Sequence, residues 1–447
     1  MLERLIQQME AVRGDIAVVA SDAPVTYGAL LESIADWTER LDAHGVAAGQ
    51  VALLKGTFSR ASISALIALF QKQAIVILLA PTSYEKEAEF MEVGLAQWQI
   101  QANTGEITPR DLKADHPLYD KLRMAGEPGL VLFSSGSTGV SKGTVHSAAR
   151  LLRKFAAPGK TLRTMAFLLF DHIAGIDTLF YSLFNQSTLV LPDDRSPDAV
   201  CAQIAKHRIE VLPTAPSFLN VLLLSGAYKS HDLSSLKIIT YGSEMMPAST
   251  LNRCVEAFPQ TRFIQKYGTS EIGAPPSRSK SDTSTWVKLG GDGFKWRVAE
   301  GKLEIKAKTA MLGYLNAPSP FTPDGYFMTG DAVEVDGDFI RFLGRDSDII
   351  NVGGQKVYPA EVENLIRNLA EVEDVAVYGE PHAILGAAVV AKLKPVDPAT
   401  SLKDLRIAIR TALSGQIEPY KIPQKYLLTQ NALTTARGKQ IRRSQDR

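Results

Sequence analysis

Apolar positions along the chain follow two periods. Over residues 28–42 they return every three to four positions, with Leu30, Leu31, Ile34, Trp37 and Leu41 on one face, which predicts an amphipathic helix. The stretch 1–10 mixes charges through a similar pattern and predicts another. Between such stretches lie short β-rich runs over 51–54, 130–133, 189–191, 211–212 and 236–240. Helices alternating with short apolar strands predict an α/β fold with largely parallel sheets. Residues 61–80 are mostly apolar, but Gln71-Lys72-Gln73 falls at their middle. A charged centre argues against a membrane span, so this stretch predicts a buried helix and then a strand over 74–79, stopped by Pro81.

The texture changes after Ser270. Residues 274–345 carry short runs and many turns, such as Gly290-Gly291-Asp292-Gly293 and Val335-Asp336-Gly337-Asp338, and predict a small antiparallel sheet or barrel. Beyond Asp346, helices over 359–369 and 402–413 with strands over 375–378 and 388–392 predict a compact α+β segment.

Charge narrows the function classes. The chain's 447 residues include 49 basic and 48 acidic side chains, a net charge of +1. A near-neutral chain has no general electrostatic hold on nucleic acid or an anionic membrane, so a polyanion would need a local site. The apolar fraction of 45% and charged fraction of 22% exclude wholesale disorder. The two cysteines, Cys201 and Cys254, can form neither a disulfide framework nor a four-thiolate zinc site. Both sit in helix-like apolar patterns and are expected to be reduced, buried and inert, in a cytoplasmic protein. The first residues lack the apolar run of a signal peptide, and no targeting segment is expected.

A local polyanion site is present. Ser134-Ser135-Gly136-Ser137-Thr138-Gly139-Val140-Ser141-Lys142-Gly143 follows the apolar run over 130–133. Glycines let backbone N–H groups approach an anion, hydroxyls donate, and the lysine adds charge. The residue five after Gly136 is Ser141, so the spacing is not that of an ordinary P-loop.

Five further segments follow in order. They are Thr240-Tyr241-Gly242-Ser243-Glu244; Tyr267-Gly268-Thr269-Ser270-Glu271; Gly325-Tyr326-Phe327-Met328-Thr329-Gly330-Asp331; the run 344–363, which contains Arg345, Ser347, Gly353 and Gly354; and the run 433–443, which contains Gly438-Lys439. Together with the loop they resemble the signatures of the adenylate-forming superfamily, which comprises acyl- and aryl-CoA ligases, nonribosomal peptide adenylation domains and firefly luciferase. The first ~130 residues carry no such signature and read as a shortened version of the family's amino-terminal region.

The resemblance implies the chemistry. Ser134, Ser135, Gly136, Ser137, Thr138, Gly139 and Lys142 would hold the ATP phosphates. Gly242, Ser243 and Glu244 would pack against adenine, with Tyr267 and Gly268 also at the nucleotide. Thr269 would neighbour the acyl and α-phosphate groups, and Glu271 would be the magnesium-associated carboxylate; Mg²⁺ commonly takes one or two carboxylates plus phosphate oxygens. Asp331 would accept hydrogen bonds from ribose, and Arg345 would contact ribose or phosphate. Gly353 and Gly354 would line a pantetheine tunnel, and Lys439 would serve adenylation. It further implies a body over 1–344, a hinge over 345–348, where Ser347 stands in place of the family's frequent acidic residue, and a mobile lid domain over 349–447.

The acid pocket is less defined. Leu169-Phe170-Asp171-His172-Ile173-Ala174-Gly175 resembles an acyl-CoA ligase segment in which His172 gates or lines the pocket and Gly175 follows three residues later. A second register would place Asp171 on a substrate amino group, as in adenylation domains. Ile173, Thr214, Tyr241 and Gly268 are further candidate walls. Aliphatic and small walls fit an aryl or medium acyl acid better than a charged amino acid. The implied reaction is ATP- and Mg²⁺-dependent conversion of an acid to acyl-AMP with pyrophosphate release, then transfer to CoA. Loading of a carrier-protein phosphopantetheine and adenylation of another oxyacid such as nitrite are alternatives. A degenerate, non-enzymatic adenylate binder is disfavoured by the intact Glu271, Asp331, Arg345 and Lys439.

Overall fold

The computed structural model describes residues 1–21, 23–135 and 140–433. Four sheets organise them, three in the body and one in the carboxy-terminal segment.

The first sheet has the parallel strands Val51–Lys55, Ile75–Leu79, Trp98–Gln101 and Gly129–Ser135 at its centre. Antiparallel strands extend it, Glu106–Pro109 at one edge and Ser141–Ser147 then Gly313–Tyr314 at the other. Val51–Lys55 and Ile75–Leu79 are buried at every position, which is why they read as unbroken apolar runs rather than alternating ones. Helix Arg60–Gln71 begins at Ser59, whose hydroxyl accepts from the Ser62 N–H, and buries its face in the same core. The charged break at Gln71-Lys72-Gln73 is the turn that ends this helix; Gln73 takes the left-handed conformation at φ +56° before the next strand.

The second sheet runs in the order Arg262–Gln265, Ile238–Tyr241, Val211–Thr214, Thr164–Met165, Leu189–Val190, Ile16–Ala20, Ala23–Thr26. All neighbouring pairs are parallel except the last. The signature-free amino-terminal region therefore supplies strands to both parallel sheets.

The third sheet is antiparallel, with six strands between Ser277 and Arg345, as the turn-rich texture predicts. The fourth belongs to the α+β segment. Its central hairpin, Val372–His382 with Gly386–Pro395, is longer than the two expected strands because each pairs along its whole length, including half-exposed ends that leave no apolar signature. Helices Pro359–Ile366 and Leu402–Leu413 cover it around Val362, Ile366, Leu405 and Ile409.

Cys201 and Cys254 are buried free thiols, and burial pushes both up to about 12, so they stay protonated and inert at neutral pH. Among the described residues no helix is long and apolar enough to cross a membrane.

Candidate active site

Thr214, Gly242 and Tyr267 lie at or just past the carboxyl ends of strands of the second sheet. Ligands of open α/β sheets bind at such strand ends.

Two paired strands flank the loop. Strands Gly129–Ser135 and Ser141–Ser147 pair antiparallel, with Ser134 opposite Lys142 and Ser135 opposite Ser141. Gly136, Ser137, Thr138 and Gly139 lie outside the described residues. The described flanks are strands and bring no helix dipole to an anion, so Lys142 is the charge they offer. The outgoing strand is pinned from two sides. The Ser141 N–H donates to Glu89 Oε1 at 2.7 Å, and Lys86 Nζ donates to Ser141 Oγ at 3.2 Å. Asn316 donates to the Ser141 carbonyl at 2.8 Å and accepts from the Gly143 N–H at 3.1 Å.

The turn holding Thr269, Ser270 and Glu271 faces this hairpin. It closes on itself, with Gly273 N–H donating to the Thr269 carbonyl at 3.0 Å and Glu271 N–H to Thr269 Oγ1 at 3.3 Å. Tyr314, paired beside Thr144 in the first sheet, donates its hydroxyl to Glu271 Oε1 at 2.6 Å. Lys142 Nζ lies 5.4 Å from the centre of the Tyr314 ring. Burial and the Glu271 charge hold the Tyr314 hydroxyl protonated, so it stays a donor. Lys142, Tyr314 and Glu271 thus form one connected row. Fully buried His146 adds a second tie at 2.6 Å between Nε2 and the Ser270 carbonyl, so Nε2 carries the proton. Burial lowers its pKa to about 4, and it is a neutral strut rather than a charged ligand.

Asp331 is nearly buried and accepts from the Tyr267 hydroxyl at 2.7 Å and from Arg345 Nε at 3.3 Å. Burial raises its pKa and Arg345 opposes that rise. Tyr267 stacks on Phe342 with ring centres 4.6 Å apart. Three expected residues therefore form a single cluster at the start of the carboxy-terminal segment. Beside it, Lys302 pairs with Asp346 at 2.8 Å.

On the acid side, His172 begins helix Ile173–Phe184. A Cβ on Gly175 would sit 1.9 Å from the Leu169 carbonyl oxygen, so only glycine lets the helix start this close to the preceding loop. Asp171 is buried and accepts from Ala80 N–H at 3.3 Å and Ser83 Oγ at 3.4 Å, which favours the register with His172 at the pocket. Ile173 packs into the first core, and the Tyr241 ring packs into the second with Leu212, Ile239 and Phe263. These two expected wall residues face cores, because strand alternation turns Tyr241 inward. Thr214 ends the neighbouring strand, and its carbonyl accepts from Gly242 N–H at 3.3 Å. A Cβ on Gly242 would meet the Lys266 carbonyl oxygen at 2.4 Å, close to where Gly268 follows.

Ser243 is left-handed at φ +69°, and the Glu244 carboxylate accepts from Ser217 N–H at 2.9 Å and Ser217 Oγ at 2.8 Å, at the start of helix Pro216–Ser225. The Glu244 side chain is thus spent on a helix terminus, leaving its backbone for any adenine contact. Burial pushes its carboxyl up to about 7, opposed by the Ser217 bonds and Arg367. The unfolded carboxyl loses its proton near 4.5 and the folded one near 7, so between these values the folded state holds more protons and rising pH erodes stability. Glu244→Gln should therefore melt higher relative to wild type at pH 8 than at pH 5. A gap that does not change with pH would contradict this.

The Gly353-Gly354 turn projects into solvent; a Cβ on Gly354 would meet nothing within 4 Å. Lys439 lies outside the described residues. Tyr314, Asn316, Glu89 and His146 went unnoticed in the sequence. Only Tyr314 and Asn316, close together in a Gly-Tyr-Leu-Asn run, gave a local hint.

Comparison with known proteins agrees with this geometry. The family model described as AMP-binding enzyme matches residues 95–303, and that of the AMP-binding enzyme C-terminal domain matches 361–439. The chain belongs to the AMP-binding enzymes, the adenylate-forming superfamily that its six segments resemble. It is 27% identical over 340 residues to indoleacetate–CoA ligase of Aromatoleum aromaticum, covering 70% of this chain and 65% of that one. It is 28% identical over 340 residues to feruloyl-CoA synthase of an Amycolatopsis species, covering 69% and 67%. The match thus spans about two thirds of these relatives' length. In structure it resembles an anthranilate CoA ligase, AuaEII, solved with anthranoyl-AMP, at TM-score 0.83 and 19% identity over 99% of this chain and 95% of that one. It also resembles o-succinylbenzoate CoA synthetase of Bacillus subtilis, solved with its acyl-adenylate, at TM-score 0.80 and 21% identity over 99% and 98%. These two likenesses establish the shared fold.

Proposed function

We propose that this protein activates a carboxylic acid with MgATP and transfers the acyl group to CoA. The observation that carries the reading is the row Lys142–Tyr314–Glu271 near the Tyr267–Asp331–Arg345 cluster, close enough that the Glu271 charge acts on Asp331. A carboxylate oxygen attacks the α-phosphorus, the bond to the β-phosphate oxygen breaks, and pyrophosphate leaves. The CoA thiol then loses its proton and attacks the acyl carbon, and the bond to AMP breaks. Both reactants of the first step are anions, so binding must offset their repulsion. Lys142 and the hairpin orient the departing phosphates, Asp331 and Arg345 hold the ribose side, and His172 borders the acid.

Mg²⁺ commonly takes one or two carboxylates and the nucleotide's own oxygens. Glu271, with Oε1 fixed by Tyr314, would be that carboxylate. The ion would screen phosphate charge. Tyr314→Phe keeps the ring and removes the hydroxyl. A hydrogen bond to a charged group is worth about 1.5–3 kcal/mol, so adenylation should fall about tenfold or more, with a raised Mg²⁺ requirement. Unchanged Mg²⁺ dependence in a pyrophosphate assay would argue against this role.

The lid over 349–447 is read as turning about 345–348 between the two steps. The solvent-facing Gly353-Gly354 turn supports this, since it would have to come to the site for the thiol step. CoA is favoured over a carrier protein by the CoA ligases among the relatives. Buried thiols that need no oxidising compartment agree with a cytoplasmic location. The test is pyrophosphate release from MgATP across aryl, fatty and dicarboxylic acids, with and without CoA or carrier proteins. No release with any acid would remove the reading, and thioester formed only on a carrier would change the acceptor.

A further inference from the structure

Side chains hold the backbone on both sides of Lys142. Strand Gly313–Tyr314 pairs with Ser141–Ser147 only at Thr144 and Val145, so the backbone around Lys142 lies beyond that pairing. Side chains take the place of a strand there. Ser141, itself buried, gives its N–H to Glu89 Oε1 at 2.7 Å and accepts at Oγ from Lys86 Nζ at 3.2 Å. Asn316 donates from Nδ2 to the Ser141 carbonyl at 2.8 Å and accepts at Oδ1 from the Gly143 N–H at 3.1 Å. The chain is thus fixed immediately before and immediately after Lys142.

Glu89 and Lys86 come from one short element of the signature-free amino-terminal region. Helix Glu87–Val93 follows Lys86, and residues three apart share a helix face, which brings both side chains to Ser141. The helix is itself anchored. Glu87 accepts from Lys55 Nζ and from Gln99 Nε2, both at 2.6 Å, which ties it to two neighbouring parallel strands. Phe90 stacks on Phe133, one residue before Ser134, with ring centres 4.0 Å apart. One helix therefore braces both the strand that enters the loop and the strand that leaves it. By charge alone, a carboxylate beside a segment read as holding phosphates works against binding. What Glu89 adds is geometric, because a charge-assisted hydrogen bond is shorter and stronger than a neutral one. Lys86 brings a compensating charge to the same serine.

We propose that Glu89 and Asn316 are positioning residues for Lys142, holding it at the polyphosphate of ATP through the backbone on either side. This rests on the acid-adenylation reading of the site.

The test measures calorimetric binding of MgATP and of AMP to wild type, Glu89→Ala, Glu89→Gln and Asn316→Ala, with pyrophosphate release across the acid panel. AMP lacks the phosphates that Lys142 would meet, so it reports general damage. Glu89→Ala should weaken MgATP about tenfold, and Asn316→Ala, which removes neutral bonds, about threefold to tenfold. AMP affinity should stay within about twofold in both. Glu89→Gln keeps an acceptor oxygen and should recover most of the loss. In a Lys142→Ala background, Glu89→Ala should add less than about twofold, since both changes act on one contact. Asn316 is exposed, so its variant carries the test if Glu89→Ala does not fold. Equal losses of MgATP and AMP, or losses that multiply in the Lys142→Ala background, would overturn the positioning role. Variants that bind MgATP as wild type does, in a protein that releases pyrophosphate, would overturn the role and keep adenylation. Selective loss of MgATP in the variants, with no pyrophosphate released by wild type for any acid, would keep the role and overturn adenylation. No binding of MgATP by wild type would overturn both.

Discussion

Lys439→Ala should lower ATP–pyrophosphate exchange by about 10²–10³-fold, the range seen when one preorganised group that stabilises transition-state charge is removed. The α-phosphate gains charge as the carboxylate attacks, and a lysine that the proposed lid brings there would meet charge that the ground state lacks. Thioester formation from a preformed acyl-AMP needs no such cation and should proceed near the wild-type rate. That split between half-reactions distinguishes a role in adenylation from general damage. Exchange near the wild-type level in the variant would reassign Lys439. The prediction stands on the Gly438-Lys439 segment, which lies outside the described residues.

Gly175→Ala should be the most damaging small change in the body. The added methyl would lie 1.9 Å from the Leu169 carbonyl oxygen, and backbone there cannot step aside as a side-chain tip could. Overpacking of this kind costs about 1–3 kcal/mol and sometimes more. Relief requires helix Ile173–Phe184 to lift from the loop, carrying His172 and Asp177 with it. The variant should therefore melt several degrees lower and lose acid binding more than ATP binding. A melting temperature within a degree of wild type, with KM for the acid unchanged, would show that the loop yields freely. Ala174→Gly, one residue earlier in the same helix, is the control. It should cost about 0.5–1 kcal/mol through propensity alone and leave acid binding intact.

The sequence by itself determined the architecture in outline. Buried parallel strands such as Ile75–Leu79 are apolar at every position, and helices such as Tyr27–Ala43 bury one face, so both write their period into the chain. It also determined the candidate chemistry wherever neighbouring residues act together, as in the phosphate loop and in Thr269 with Glu271, because backbone and side chains there work within a few positions. The tertiary structure alone decided what those residues touch. Tyr314 meets Glu271 and Lys142 only because strand Gly313–Tyr314 adds to the edge strand Ser141–Ser147, far earlier in the chain. Asp331 finds Tyr267 across the third sheet, and Tyr241, expected at the pocket, turns its ring inward by strand alternation. The charge of the acid side was the least legible. Lys154 and Asp177 stand in unrelated segments with ordinary local surroundings. A lone charge in a sequence reads as solvated surface, and only packing shows that these two are mostly buried and paired with each other.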